Sequence, residues 1–181
     1  MEELKIHIGC GKRDFGDKWV HIDGDTSFKH VKNNDIYLFG YNNNTVDEIY
    51  ASHFIEYFDR QEVVELLKCW KNALKEGGIL KLAVPNFPVL VEIYQKYLDL
   101  DIILGPLFGR MKMDAKTIYH KTCYDYISLY NVLSECGFKN IKTWNWQETE
   151  HSHIDDHSQA YFPHMNKKYG TLISLNMLCK K

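Results

Sequence analysis

The chain has no run of Lys and Arg longer than two residues, and its 22 basic and 24 acidic side chains leave a net charge of −2. No continuous phosphate-tracking surface is written in it, so nucleic acid is an unfavoured partner. No apolar stretch approaches the ~20 residues of a membrane-spanning helix, and no basic head precedes an apolar leader. A cytoplasmic protein with no membrane partner is the expectation. Cysteine is scarce and odd in number: Cys10, Cys69, Cys123, Cys136 and Cys179 include no C-x-x-C pair. That argues against a disulfide framework and for free thiols in a reducing compartment. Only four prolines occur, and no Pro/Gly-rich linker divides the chain. Repeats are absent, and Asn42-Asn43-Asn44 reads as a turn. A single domain over 1–181 is expected, long enough to bury a core without staples.

What is present is an alternation of short strands and amphipathic helices. Leu4–Ile8 alternates apolar and polar residues and runs into Gly9-Cys10-Gly11, a strand ending in a glycine turn. Trp19–Asp23 reads as a second strand, His30–Lys32 as a weaker third and Val46–Ser52 as a fourth. A helix over Arg60–Lys75 opens with Asp59 and Glu62, a capping-box variant, and carries Val63, Leu67, Trp70 and Leu74 at helical spacing. Gly77-Gly78 is expected to stop it before a buried strand over Ile79–Val84. Val89–Leu104 reads as helix, Gly105–Thr122 as irregular and Tyr124–Cys136 as helix. Lys139–Trp146 and Thr171–Cys179 read as two final strands. The fold class is α/β, Rossmann-like. The expected sheet is mostly parallel with an antiparallel last strand, and a helical lid or substrate insertion occupies about 87–120.

In such sheets ligands gather at the carboxyl ends of the strands. Four strand ends carry suggestive residues. The Gly9-Cys10-Gly11 turn lets a ligand approach backbone. Asp23 can accept two hydrogen bonds from ribose hydroxyls. Asp35 and Ile36 can hold the edge and face of an adenine. Ser52-His53-Phe54 closes the fourth strand.

The stretch LKIHIGCGKRDFGDKWVHID resembles the first two motifs of small class I S-adenosylmethionine-dependent methyltransferases. VDEIYASHFIEYFDRQEVVELLKCWKNALKEGGILKLAVPNF is similar to their central block: a strand, an S-H-x-x-E-H-type motif, a helix, L-K-x-G-G and a strand ending in V-P. YHKTCYDYISLYNVLSECGFKNI and HSQAYFPHMNKKYGTLISLNMLCK resemble the later helix, strand and tail of a small bacterial subgroup. The resemblance implies S-adenosylmethionine as cofactor and S-adenosylhomocysteine as product. It places Gly9, Cys10 and Gly11 at the methionine end and Asp23 on the ribose. Asp35 and Ile36 would flank the adenine, and Ser52 and His53 would form the pocket floor. It points to methylation of a small molecule or sugar, on oxygen.

Two departures stand out. Tyr57 takes the place of the motif's last histidine. Only the seven residues Lys12–Lys18 separate Gly11 from Trp19. They span ~23–25 Å when extended, so the first crossover is abbreviated to a loop, leaving that sheet face thinly covered.

Transfer to a hydroxyl calls for a general base, and His53 and His120 are the candidates. Tyr119, Tyr124, Tyr161, Phe162 and His164 can line the acceptor. Three rival readings remain. His151, His153, Asp155 and His157 have a likeness to the H-x-H-x-D-H motif of metal-dependent hydrolases, with one residue too many; a solvated polar loop or part of the acceptor site is the favoured reading of that stretch. A nicotinamide site fails at Asp14, where the third glycine of G-x-G-x-x-G belongs. A catalytically inactive cofactor-binding module is the third. No metal is expected. Ile102-Ile103-Leu104 and Leu107-Phe108 suggest a lid or the face of a homodimer.

Overall fold

The computed structural model describes residues 3–113 and 116–181. Seven strands form the main sheet: β1 (Lys5–Ile8), β2 (Trp19–Ile22), β3 (Val31–Asn33), β4 (Val46–Ser52), β5 (Leu74–Pro85), β6 (Lys139–Thr143) and β7 (Ser174–Lys180). Their order is β3-β2-β1-β4-β5-β7-β6. The first five pair in parallel, and β7 lies antiparallel between β5 and β6. The order turns at β1, so the carboxyl ends of β1 and β4 flank the switch point, where a ligand crevice is expected.

Helix α1 (Glu62–Ala73) buries Val63, Leu66, Leu67, Trp70 and Ala73. Its start follows the expected box. The Asp59 carboxylate accepts from the Glu62 backbone N–H at 2.9 Å, and the Glu62 carboxylate accepts from Asp59 N–H at 2.9 Å. Its end differs from expectation. Ala73 closes the helix and Leu74 is already extended, because Leu74 pairs with Val46. Gly77 and Gly78 do not stop the helix; they absorb a bulge. Val46 to Glu48 on β4 faces Leu74 to Ile79 on β5, and Gly77 takes φ +77°.

The insertion also differs. The single expected helix is two, α2 (Phe87–Tyr97) and α3 (Asp101–Phe108), broken where Leu98 adopts φ +51°. The stretch expected to be irregular holds a small antiparallel ladder of Met111–Met113 against Lys116–Ile118. Leu90, Ile93 and Ile103 form a second core with Ile173, and Ile102, Leu107 and Phe162 pack against it. Most of the suspected dimer face therefore turns inward, while Leu98, Leu100 and Phe108 stay exposed. Helix α4 (Tyr126–Glu135) is capped by Asp125 and Ser128 in a full capping box.

The first crossover is a loop without a helix, as its length requires. The sheet face beneath it is nevertheless covered. Phe15 stacks between His7 and His151, with ring centroids 4.0 and 3.9 Å away, and Trp19 and Tyr50 meet it edge-on. The segment from His151 to Gln159 is half inward: His151, Asp156, Ser158 and Gln159 are buried, while His153, Asp155 and His157 are exposed. Asp156 accepts from the Tyr50 hydroxyl at 2.5 Å and from Ser158 Oγ at 2.5 Å.

Neither ring nitrogen of His151 has a partner, and burial lowers its pKa to about 4. The unfolded ring takes up its proton as pH falls through about 6.5, while the folded ring stays neutral to about 4. Between those values the unfolded chain binds more protons, so stability falls with falling pH. Chemical denaturation should show His151 contributing about 2 kcal/mol of lost stability between about pH 7 and about pH 5. His151→Phe should reduce that slope; an unchanged slope would assign the acid sensitivity to other groups.

Candidate active site at the strand ends

At the end of β1, Gly9 and Gly11 take φ +69° and +52°. Gly9 N–H donates to the Ile22 carbonyl at 2.8 Å, and Gly11 N–H donates to Asp23 Oδ2 at 2.7 Å. The other Asp23 oxygen accepts from Asp25 N–H at 2.8 Å. A carboxylate offers about four lone-pair sites, so two remain for a diol. His30 Nε2 bonds the Gly11 carbonyl at 2.9 Å and pins the turn from the other side. A Cβ at Gly9 would stand 2.4 Å from the Phe54 ring, whereas one at Gly11 would meet only Arg13 Nη1, at 3.8 Å. The backbone of Gly11 thus borders open space. Cys10 is fully buried, and burial together with Asp23 pushes its thiol up to about 12. Only its backbone can meet a ligand.

Asp35 is occupied locally. Its two oxygens accept from Phe39 N–H at 3.0 Å and Gly40 N–H at 2.7 Å, holding the turn after β3. Ile36 packs on the core, and its carbonyl accepts from Trp70 Nε1 at 2.7 Å. Met113 reaches across from the insertion, so that a Cβ at Gly24 would overlap its methyl group. The insertion therefore touches the end of β2 beside Asp23.

At the end of β4, Ser52 is buried and its hydroxyl has no partner. His53 adopts φ +50°, uncommon for a residue with a side chain and a mark of a position held by its surroundings. Its N–H donates to the Ala83 carbonyl at 2.8 Å. Its Nδ1 lies 3.5 Å from Glu56 Oε1 and its Nε2 lies 3.2 Å from Ser174 Oγ. Glu56 is wholly buried. His120 approaches from the far end of the insertion, with Nε2 3.8 Å from the same Glu56 oxygen and Nδ1 3.1 Å from the Leu107 carbonyl. Burial pushes the Glu56 carboxyl up to about 8 and lowers both histidines, His53 strongly.

The two histidines singled out from sequence are thus brought together, with a glutamate between them. Glu56 was overlooked. Its signals were its place as the acid of the S-H-x-x-E-H-type motif and its position inside the apolar run Phe54-Ile55-Glu56-Tyr57-Phe58. His157, ring centroid 5.2 Å from His53, and Arg13, 3.3 Å from His157, also join this region.

The acceptor candidates disperse. Tyr124 is buried with an unpartnered hydroxyl, and burial raises its pKa. Tyr119 is half exposed at the edge of the insertion. Tyr161 pairs with Leu172, and its hydroxyl accepts from Trp146 Nε1 at 3.4 Å. His164 is exposed. The hydrolase motif also comes apart. His151 lies on Phe15, His157 beside His53, Asp155 on Lys167, and His153 in solvent. Among the described residues no three His, Cys, Asp or Glu converge on a metal position.

No protein-family model and no curated protein matches the chain. Solved structures do. A SAM-dependent methyltransferase from Archaeoglobus fulgidus aligns at TM-score 0.62 and 19% identity, covering 99% of this chain and 86% of that one. A SAM-dependent methyltransferase from Thermotoga maritima, described as a possible histamine N-methyltransferase, aligns at 0.63 and 15%, covering 100% and 83%. This chain has the class I methyltransferase fold. DhpI, solved with S-adenosylhomocysteine, aligns at 0.57 and 10%, covering 98% and 76%. Within that fold, Gly9–Gly11, Asp23 and the His53–Glu56–His120 cluster stand at the ends of three neighbouring parallel strands, β2, β1 and β4.

The two glycines make unequal demands. Gly9→Ala combines left-handed backbone strain with overlap on Phe54 and should cost about 2–4 kcal/mol. Gly11→Ala carries the backbone strain alone and should cost about 1 kcal/mol. Urea denaturation of the two variants measures the difference; equal losses would mean that Phe54 yields freely.

Proposed function

We propose that this chain is an S-adenosylmethionine-dependent methyltransferase acting on a hydroxyl of a small molecule or sugar. The observation that carries the reading is the glycine turn after β1, locked by Gly11 N–H to Asp23 with two carboxylate lone-pair sites left over. Methyltransferases of the same fold, one of them solved with S-adenosylhomocysteine, support it. Bound cofactor would supply an activated methyl group on a sulfonium. Gly11 would give backbone access, Asp23 would hold the ribose hydroxyls, and Ile36 would offer an apolar face to the adenine.

The chain's remaining work is alignment and proton removal. A hydroxyl acceptor needs a base as its oxygen bonds the methyl carbon. His53 and His120, both held neutral by burial, are the candidates, and either would serve by turning its free nitrogen from Glu56 toward the acceptor. Tyr124, Met113 and the backbone around Gly109 would exclude water above them. A cytoplasmic location fits the five free cysteines.

Calorimetric titration with S-adenosylhomocysteine tests the reading. The wild type should bind in the micromolar range, and Asp23→Ala should weaken binding at least tenfold. Asp35→Ala should have a smaller effect, since that carboxylate already serves its own turn. A melting curve for Asp23→Ala separates lost ligand contacts from a loosened Gly11 turn. No binding to the folded wild type would overturn the assignment.

A further inference from the structure

The cluster behind the candidate base contains more than a methyl transfer requires. Glu56 is 0% exposed, and neither of its oxygens has a hydrogen-bond partner. Unpartnered buried carboxyl oxygens are costly, and an ionised one more so. The neighbours decide which form the group takes. His120 Nδ1 faces the Leu107 carbonyl at 3.1 Å. A carbonyl only accepts, so Nδ1 carries the hydrogen and the neutral ring turns an Nε2 lone pair toward Glu56.

His53 reaches the same result by a longer chain. Asn176 Nδ2 donates to the Ser158 carbonyl at 2.9 Å, which leaves Asn176 Oδ1 as the acceptor from Ser174 Oγ at 2.8 Å. The Ser174 proton is then committed, so His53 Nε2–H donates to Ser174 Oγ. Its Nδ1 lone pair points at Glu56. Two lone pairs face one carboxyl oxygen at 3.5 and 3.8 Å, each about half an ångström beyond a hydrogen bond. A carboxylate there would receive no hydrogen bond from either ring. A carboxylic acid has one proton to offer.

We infer that Glu56 is a positioning residue that works as a neutral carboxylic acid, offering its one proton to the lone pair of His53 Nδ1 or of His120 Nε2 and so holding that ring in place. The inference rests on the methyltransferase reading for its catalytic meaning and on geometry for its chemistry. Burial keeps the acid protonated to about pH 8. The groups facing it are His53 and Tyr57 from its own segment, His120 from the end of the insertion and Tyr124 from the approach to α4. Lys121 and Thr122 give their backbone N–H groups to the Glu56 carbonyl rather than to its side chain. Arg13 lies beyond His53, where its charge opposes a proton on that ring. Among the described residues no Lys or Arg nitrogen lies within 4.0 Å of a Glu56 oxygen.

Two spectroscopic readouts on the whole chain test this without an acceptor. Infrared spectra of the wild type at neutral pH should contain the carbonyl band of a buried protonated carboxyl. That band should vanish above about pH 9 and be missing in Glu56→Gln. Two-bond 15N–1H spectra, assigned with His53→Gln and His120→Gln, should show His53 as the Nε2–H tautomer and His120 as the Nδ1–H tautomer. Glu56→Gln keeps a donor and should preserve both tautomers and leave S-adenosylhomocysteine affinity within about twofold; Glu56→Leu removes the donor and should move the 15N shift of His53 Nδ1 or His120 Nε2 toward that of an unbonded nitrogen, while Leu107 and Ser174 keep both tautomers. Imidazolium patterns at neutral pH, no protonated-carboxyl band, or tautomers lost in Glu56→Gln would each overturn the inference. If Glu56→Leu does not fold, the wild-type spectra still decide it. Failure of the wild type to bind S-adenosylhomocysteine would sink the methyltransferase reading alone and leave these spectra to stand or fall separately.

Discussion

The stacking of Phe15 between His7 and His151 is the contact on which the layout of this molecule turns. Seven residues between Gly11 and Trp19 can return the chain to the next parallel strand but cannot carry a helix to cover the sheet. Something else must exclude water from His7, Trp19 and Tyr50. The loop contributes one ring, Phe15, and the chain after β6 contributes a second, His151. Drawing that late segment onto an early face has consequences further along it. Asp156 comes to rest on the Tyr50 hydroxyl, Asn176 donates to the Ser158 carbonyl, and His157 arrives beside His53. A shortage of chain near the start is thus met by chain near the end, and the substitution delivers polar groups to the candidate site.

The same economy governs the site's electrostatics. Buried imidazoles and a buried carboxyl cannot all be charged in a medium of low dielectric without close partners. Here neutrality is the cheaper solution. His7, His53, His120 and His151 all have depressed pKa values, and Glu56 has a raised one, each chiefly through desolvation. A neutral histidine is the form a base needs. Its cost is sensitivity to acid, because the unfolded chain protonates where the folded chain does not.

The insertion joins the two halves of the site. Its helices are anchored by a small core shared with Ile173 and Phe162, apart from the main core. That anchorage sets His120 under Gly109, where a Cβ would collide with the imidazole, and sends Met113 to Gly24. The closing stretch of the insertion therefore meets both the carboxyl group behind β4, through His120, and the residue after Asp23, through Met113.

Sequence by itself determined the α/β class, the starts of β2 and β4, the abbreviated crossover, the capping box at Asp59–Glu62 and the strand-end residues Gly9–Gly11, Asp23 and His53. Each is local: period, turn chemistry and the reach of a short loop are written in neighbouring residues. The end of α1, the bulge at Gly77-Gly78 and the break at Leu98 were decided by tertiary structure. Pairing of Leu74 with Val46 outweighed the local helical pattern, and packing of α3 on Ile173 outweighed the continuous apolar run. The fates of the late histidines were also beyond local reading. His151, His153 and His157 look alike in sequence, but stacking, exposure and proximity to His53 separate them. Glu56 shows the limit most sharply. Its burial follows from its own apolar neighbours, but its protonation follows from where Leu107, Ser174 and Asn176 point their oxygens. Those residues are between 51 and 120 positions away, and only the folded chain brings them together.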